Sequence, residues 1–132
     1  SMIKSLILTC WYGLDYLLGY CSVRKAKKHK EIMIFARYFF DFYYQRVHLN
    51  LPKSIIRIVE LIVPKPDLII FLKREPADIF KMKPELSEKE IDRQNRTIES
   101  VLGKRSNFVI INSEENIQDT INKAILVIQG TV

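Results

Sequence analysis

The densest concentration of groups able to do chemistry is Ala36-Arg37-Tyr38-Phe39-Phe40-Asp41-Phe42-Tyr43-Tyr44-Gln45-Arg46, where charges sit among aromatic rings. A guanidinium is a planar fork that grips phosphate or carboxylate at two points, and an aromatic wall suits a base. Arg37, Tyr38 and Asp41 are therefore candidate residues of a pocket for phosphate and a ring. The same spacing fits an amphipathic helix start, in which the rings are core and Arg37 pairs with Asp41 four residues on. Both readings stand on the residues alone.

A second concentration is Arg24-Lys25-Ala26-Lys27-Lys28-His29-Lys30, which carries most of the excess in a net charge of +6. Summed potential of this kind attracts phosphate, nucleic acid or anionic lipid. It equally suits the last turn of a helix, where cations meet the negative end of the dipole. A basic module binding nucleic acid or an acidic protein surface is thus one alternative, although no recognised nucleic-acid motif accompanies the run. His29 and His48 lack partners at metal-ligand or catalytic spacing, and the serines lack a nucleophile-elbow context.

Cys10 and Cys21 are too few for a zinc cluster and do not form a C-x-x-C pair. On one helix they would stand about 16 Å apart, well beyond the roughly 7 Å that a disulfide spans between Cα atoms. A reducing, cytoplasmic setting follows as the expectation. The apolar stretch 6–21 is interrupted by Asp15, is followed by no small-residue cleavage site and is shorter than the roughly 20 residues of a bilayer span, so a buried helix is expected there and no membrane. Ser1 ahead of Met2 reads as a remnant of tag removal.

The elements that must position these groups follow from periodicity. Apolar residues at Ile3, Ile7, Cys10 or Trp11, Leu14, Leu17 or Leu18, and Cys21 predict a long, mostly buried helix with a broad apolar face to about Lys28. Residues 31–36, 67–72 and 107–111 are short apolar runs rich in strand formers, the pattern of strands covered on both faces. Between them, Pro52 opens and Pro64 stops a helix over 51–63, residues 78–81 make a short helical turn, and Ser87 with Glu90 has capping-box spacing for a helix ending at Gly103. Ser113 is placed to cap a last helix whose Ile117, Ile121, Ile125 and Ile128 form one stripe, with Glu114 and Glu115 at its positive end. This alternation predicts one α/β domain over 1–132, a three-layer parallel sheet with ligands at the carboxyl ends of its strands.

Four segments in this order carry a family likeness: Leu14-Asp15-Tyr16-Leu17-Leu18, Arg37-Tyr38-Phe39-Phe40-Asp41, Pro64-Lys65-Pro66-Asp67-Leu68-Ile69-Ile70-Phe71-Leu72, and Lys83-Pro84-Glu85-Leu86. Together they resemble the C-terminal part of thymidylate kinase-like P-loop proteins, especially members associated with polysaccharide or sugar-nucleotide genes. The resemblance implies a nucleoside-monophosphate kinase fold that uses ATP and magnesium, with Arg37, Tyr38 and Asp41 toward the acceptor phosphate and a lid-like segment over about 76–104 containing Lys81 and Lys83. No G-x-x-x-x-G-K-[ST] occurs in the chain, so the loop that would hold ATP is missing. Ala36 stands where the family writes Asp, Lys73 where Asp is common, and Met82 where the lid has Arg.

The expectation is therefore a truncated P-loop kinase fold lacking the N-terminal P-loop strand. Such a chain is inactive alone, binds neither ATP nor magnesium by itself, and retains some nucleotide or phosphate affinity. The alternative within the family is a fragment of an active kinase that needs its N-terminal half. The strand the family places between those matching 31–36 and 67–72 would come from that half or from a homo-oligomer, since unpaired strand edges are costly.

Overall fold

In the computed structural model, which describes residues 2–44, 51–113 and 116–131, the chain divides into two compact units, Ser1–Lys65 and Pro66–Val132. The first holds α1 (Met2–Lys28), α2 (Asp41–Tyr44) and α3 (Lys53–Ile62). The second runs β1 (Ile69–Lys73), α4 (Pro76–Met82), α5 (Glu88–Leu102), β2 (Phe108–Asn112) and α6 (Ile117–Thr131).

Local chemistry sets most of these boundaries. Pro52 stands at the N-cap of α3, where its fixed φ is already suitable and its missing N–H is no loss. Pro64 ends the helix by forcing Val63 to an extended ψ of 151°. Pro76 opens α4 from the first helical position, behind the N-cap Glu75. Ser87 caps α5, its hydroxyl accepting from the Glu90 N–H at 3.2 Å.

The other half of the expected capping box is differently engaged. Glu90 turns its carboxylate to Arg93, which donates through Nε at 2.8 Å and a terminal nitrogen at 2.6 Å, and to Gln94 at 3.0 Å. Those donors pull the Glu90 carboxyl down to about 2. At α6, Asn116 rather than Ser113 supplies the cap, its side-chain oxygen accepting from Gln118 N–H at 3.0 Å. Glu114 and Glu115 lie outside the described residues, as do Gln45, Arg46 and His48.

The first unit is built on rings. Phe39, Phe42, Ile56 and Val63 form its buried cluster, with Tyr12 and Tyr16 of α1 packed against it. Phe39 and Phe42 stack with centroids 5.0 Å apart, and Tyr12 and Tyr16 meet them edge-on at 5.8 and 6.0 Å. Gly13 lets α1 approach α3 closely, because a Cβ there would stand 3.3 Å from Val59 Cγ1. The rest of α1 departs from expectation. It is largely exposed rather than buried, and by length and composition alone Ile3–Lys28 contains a stretch long and apolar enough to cross a membrane.

In the second unit, β1 and β2 run parallel, with Ile69 opposite Phe108 and Lys73 opposite Asn112. The connection between them contains α4 and α5, and α5 buries Ile91, Ile98 and Leu102. Ile111 is buried in β2, while Leu72 and Ile110 are exposed. The predicted stripe of α6 turns partly outward: Ile117, Ile121 and Ile125 are exposed, and Thr120 is the buried residue.

The expected three-layer parallel sheet is not present. Among the described residues the sheet has two strands, β1 and β2. Residues 31–35 are irregular, exposed and outside any ladder. Apolar, β-branched composition gives a segment the propensity for a strand, but its backbone groups form one only against a neighbour. The lid-like segment 76–104 corresponds to α4 and α5, which here make the crossover between the two strands.

α1 ends in a Schellman-type turn: Glu31 N–H reaches Ala26 O at 2.9 Å, Lys30 N–H reaches Lys27 O at 3.2 Å, and Lys30 takes a φ of 56°. A side chain is strained in that left-handed conformation. Lys30→Gly is therefore expected to stabilise the protein by about 0.5–1 kcal/mol, read as a higher midpoint in thermal or urea unfolding. Phe39→Ala, at a fully buried position, is expected to cost about 3–5 kcal/mol in the same measurement.

Candidate functional site

Arg37, Tyr38 and Asp41 follow the end of α1 and precede α3, where a bend and the single-turn α2 fold the chain over the aromatic cluster. Their fates differ. Arg37 is exposed at the bend, and its positive charge reaches the phenol of Tyr44. Tyr38 is half-buried against Tyr16, with centroids 5.1 Å apart, and its hydroxyl donates to the Pro64 carbonyl. Asp41 is buried at the start of α2 and accepts from the Tyr44 hydroxyl.

The electrostatics follow from that burial. Desolvation, then the neighbouring Tyr16, pushes the Tyr38 phenol from 10.0 up to about 12. Tyr44 is raised further by desolvation and by its hydrogen bond to Asp41, against the lowering influence of Arg37. Both phenols are thus held protonated and used as donors. Tyr43 is likewise tied down, its hydroxyl donating to Glu60 at 2.6 Å. Of the three predicted residues, the structure brings Tyr38 and Asp41 into the fabric of the unit and leaves the Arg37 cation at its surface.

Lys81 and Lys83 belong to the second unit. Lys81 lies in the last turn of α4 with Asp78 at 3.8 Å, an exposed pairing of small energetic weight. Lys83 caps that helix through its backbone N–H to Ile79 O at 2.9 Å and exposes its side chain. The basic run ends α1, where Cys21, Arg24, Lys25, Lys28 and His29 line an open depression.

The carboxyl ends of the strands, where a parallel sheet would hold a ligand, are engaged internally. Ser113 N–H donates to Lys73 O at 2.7 Å. Lys73 pairs with Glu99 of α5 at 2.6 Å, and that carboxylate holds the ammonium pKa above its ordinary value. Residue spacing gave no sign of this pair, because its members are 26 positions apart in the chain. The same is true of Asn107, whose amide donates to Pro66 O at 2.8 Å across 41 positions.

These donors do not fit the magnesium and ATP of a P-loop kinase. Ala36 carries no carboxylate, Lys73 is a cation at the end of β1, and Asp41 is committed to Tyr44. No group of three His, Cys, Asp or Glu residues that could hold a metal ion is found among the described residues. What the arrangement offers chemically is electrostatic contact with an anion at Arg37, on a base of rings.

No family model matches the chain, and no curated protein or solved structure matches it either.

The burial of the Tyr38 phenol has a measurable signature. A phenol whose pKa is higher folded than unfolded contributes fully below pH 10, and that contribution is lost as pH rises through 10 toward about 12. Tyr38→Phe is expected to cost about 1 kcal/mol at neutral pH and to flatten the alkaline decline in stability, as read by urea unfolding across that range.

Proposed function

We propose that the chain is a thymidylate kinase-like scaffold that transfers no phosphate by itself, makes a weak phosphate or nucleotide contact through Arg37, and acts with another polypeptide that completes its sheet. The observation that supports this most is the two-stranded parallel pair. Parallel sheets are ordinarily covered on both faces, and alternation along β1 and β2 puts the exposed Leu72 and Ile110 on opposite faces. A further strand laid along the pair would satisfy edge backbone groups, and its crossover would cover those side chains.

The non-catalytic part of the reading rests on donor chemistry. Phosphoryl transfer depends on positioning the phosphates and neutralising their charge. The chain has no glycine-rich loop with its lysine, and Ala36 cannot take the part of an acid. Arg37 remains as an exposed cation able to contact a phosphate oxygen.

With ATP, magnesium and thymidine monophosphate, the purified chain is expected to release no ADP above the enzyme-free rate. Calorimetry is expected to give weak monophosphate binding that Arg37→Ala abolishes, and no ATP binding. Phosphoryl transfer or magnesium-dependent ATP binding would overturn the non-catalytic reading. Monophosphate affinity unchanged in Arg37→Ala would remove that residue from the site.

A further inference from the structure

Two opposite faces of α1 are both apolar, and only one of them is packed. Tyr12, Gly13 and Tyr16 meet the aromatic cluster and Val59. On the other side Ile3, Ile7, Trp11, Leu14 and Leu18 recur at intervals of three and four residues, a straight stripe about 22 Å long. All five are exposed, Trp11 at 71% and Leu18 at 79%. A stripe this continuous exceeds the scattered apolar residues of an ordinary surface.

We propose that this stripe docks α1 in the plane of an anionic lipid bilayer, with its apolar side chains at the headgroup boundary and its basic end against the lipid phosphates. The charges identify the occupant. Lys4 flanks one end of the stripe, and Lys25, seven residues beyond Leu18, continues its line at the other. Arg24 and Lys28 lie close to Lys25 on the last turns of the helix and add to its positive charge. Asp15, the single acidic residue of α1, lies to the side of the stripe.

A second copy of the same stripe is a poor complement. A parallel pairing sets Lys25 against Lys25, and an antiparallel one brings Lys25 toward Lys4, with no carboxylate on the stripe to separate them. A crossing orientation fits no better. It would pull Tyr12 and Tyr16 from their cluster and carry Asp15 into hydrocarbon, whereas lying in the interface keeps both arrangements intact. This inference uses α1 alone and does not depend on the kinase-like reading.

Trp11 is the one tryptophan of the chain, so its emission reports on the stripe directly. Vesicles of phosphatidylserine and phosphatidylcholine in equal parts are expected to shift that emission to the blue and to sediment the protein, with binding that weakens as salt is added. Lys25→Glu with Lys28→Glu is expected to weaken binding roughly tenfold or more, and Leu14→Glu with Leu18→Glu to abolish it. All four positions are exposed, so circular dichroism and the melting midpoint serve as controls that the fold is kept. Absence of shift and sedimentation would overturn the proposal. So would equal affinity for pure phosphatidylcholine vesicles, or stripe variants that still bind. A blue-shifted emission without lipid, accompanied by a doubled mass in light scattering, would assign the stripe to a second copy instead.

Discussion

Strands that run side by side in the same direction can be joined only by a connection that carries the chain back to its starting end, and the pairing of β1 with β2 makes this demand on the whole second unit. α4 and α5 meet it. Pro76 and Ser87 start the two helices, and α5 presents Ile91, Ile98 and Leu102 as buried residues. Lys73 and Glu99 then fasten the end of β1 to α5, while Ser113 and Asn107 fasten the strands at their two ends. Every one of these contacts serves a single parallel pair. What the crossover cannot do is supply further strands, so Leu72 and Ile110 remain exposed although their types are those of a sheet interior.

The first unit solves a different problem with rings. With no strand among its described residues, it joins α1 and α3 through Phe39 and Phe42, and the short α2 follows the turn that brings those rings inward. The polar atoms that accompany aromatic residues must then find partners, and they do: Tyr38 with the Pro64 carbonyl, Tyr43 with Glu60, Tyr44 with Asp41. Three hydroxyls that could have faced a ligand are thereby used for cohesion. Arg37 stays exposed, on the bend before the cluster closes.

What was legible in the sequence is what is decided within a few residues. Proline fixes its own φ and constrains the residue before it, so both ends of α3 could be read to within two residues. Ser87 was legible as a cap for the same reason, yet the destination of the Glu90 carboxylate was not, because Arg93 and Gln94 offered it competing donors on the next turn. The segment 31–35 shows the limit most clearly. Its composition matches that of β1 and β2, and only the presence of a neighbouring strand, a property of distant residues, separates a ladder from an exposed run. The expectation of a pocket at Arg37, Tyr38 and Asp41 meets the same limit. Residue types indicated rings and charge, and could not indicate that the rings would face one another.

α1 shows why periodicity alone misreads a helix of this kind. Tyr12 and Tyr16 on one side and Ile7, Trp11, Leu14 and Leu18 on the other give apolar residues nearly all round the cylinder, a pattern that belongs to a helix surrounded by protein or by lipid. Composition cannot distinguish these surroundings, since lipid chains and leucine side chains are equally apolar. Charge placement can. A helix enclosed by protein has no use for cations in line with its apolar stripe, where each would need a partner or would have to be desolvated. At a membrane surface the same cations lie at the depth of the phosphates, and the stripe between Lys4 and Lys25 lies at the depth where hydrocarbon begins.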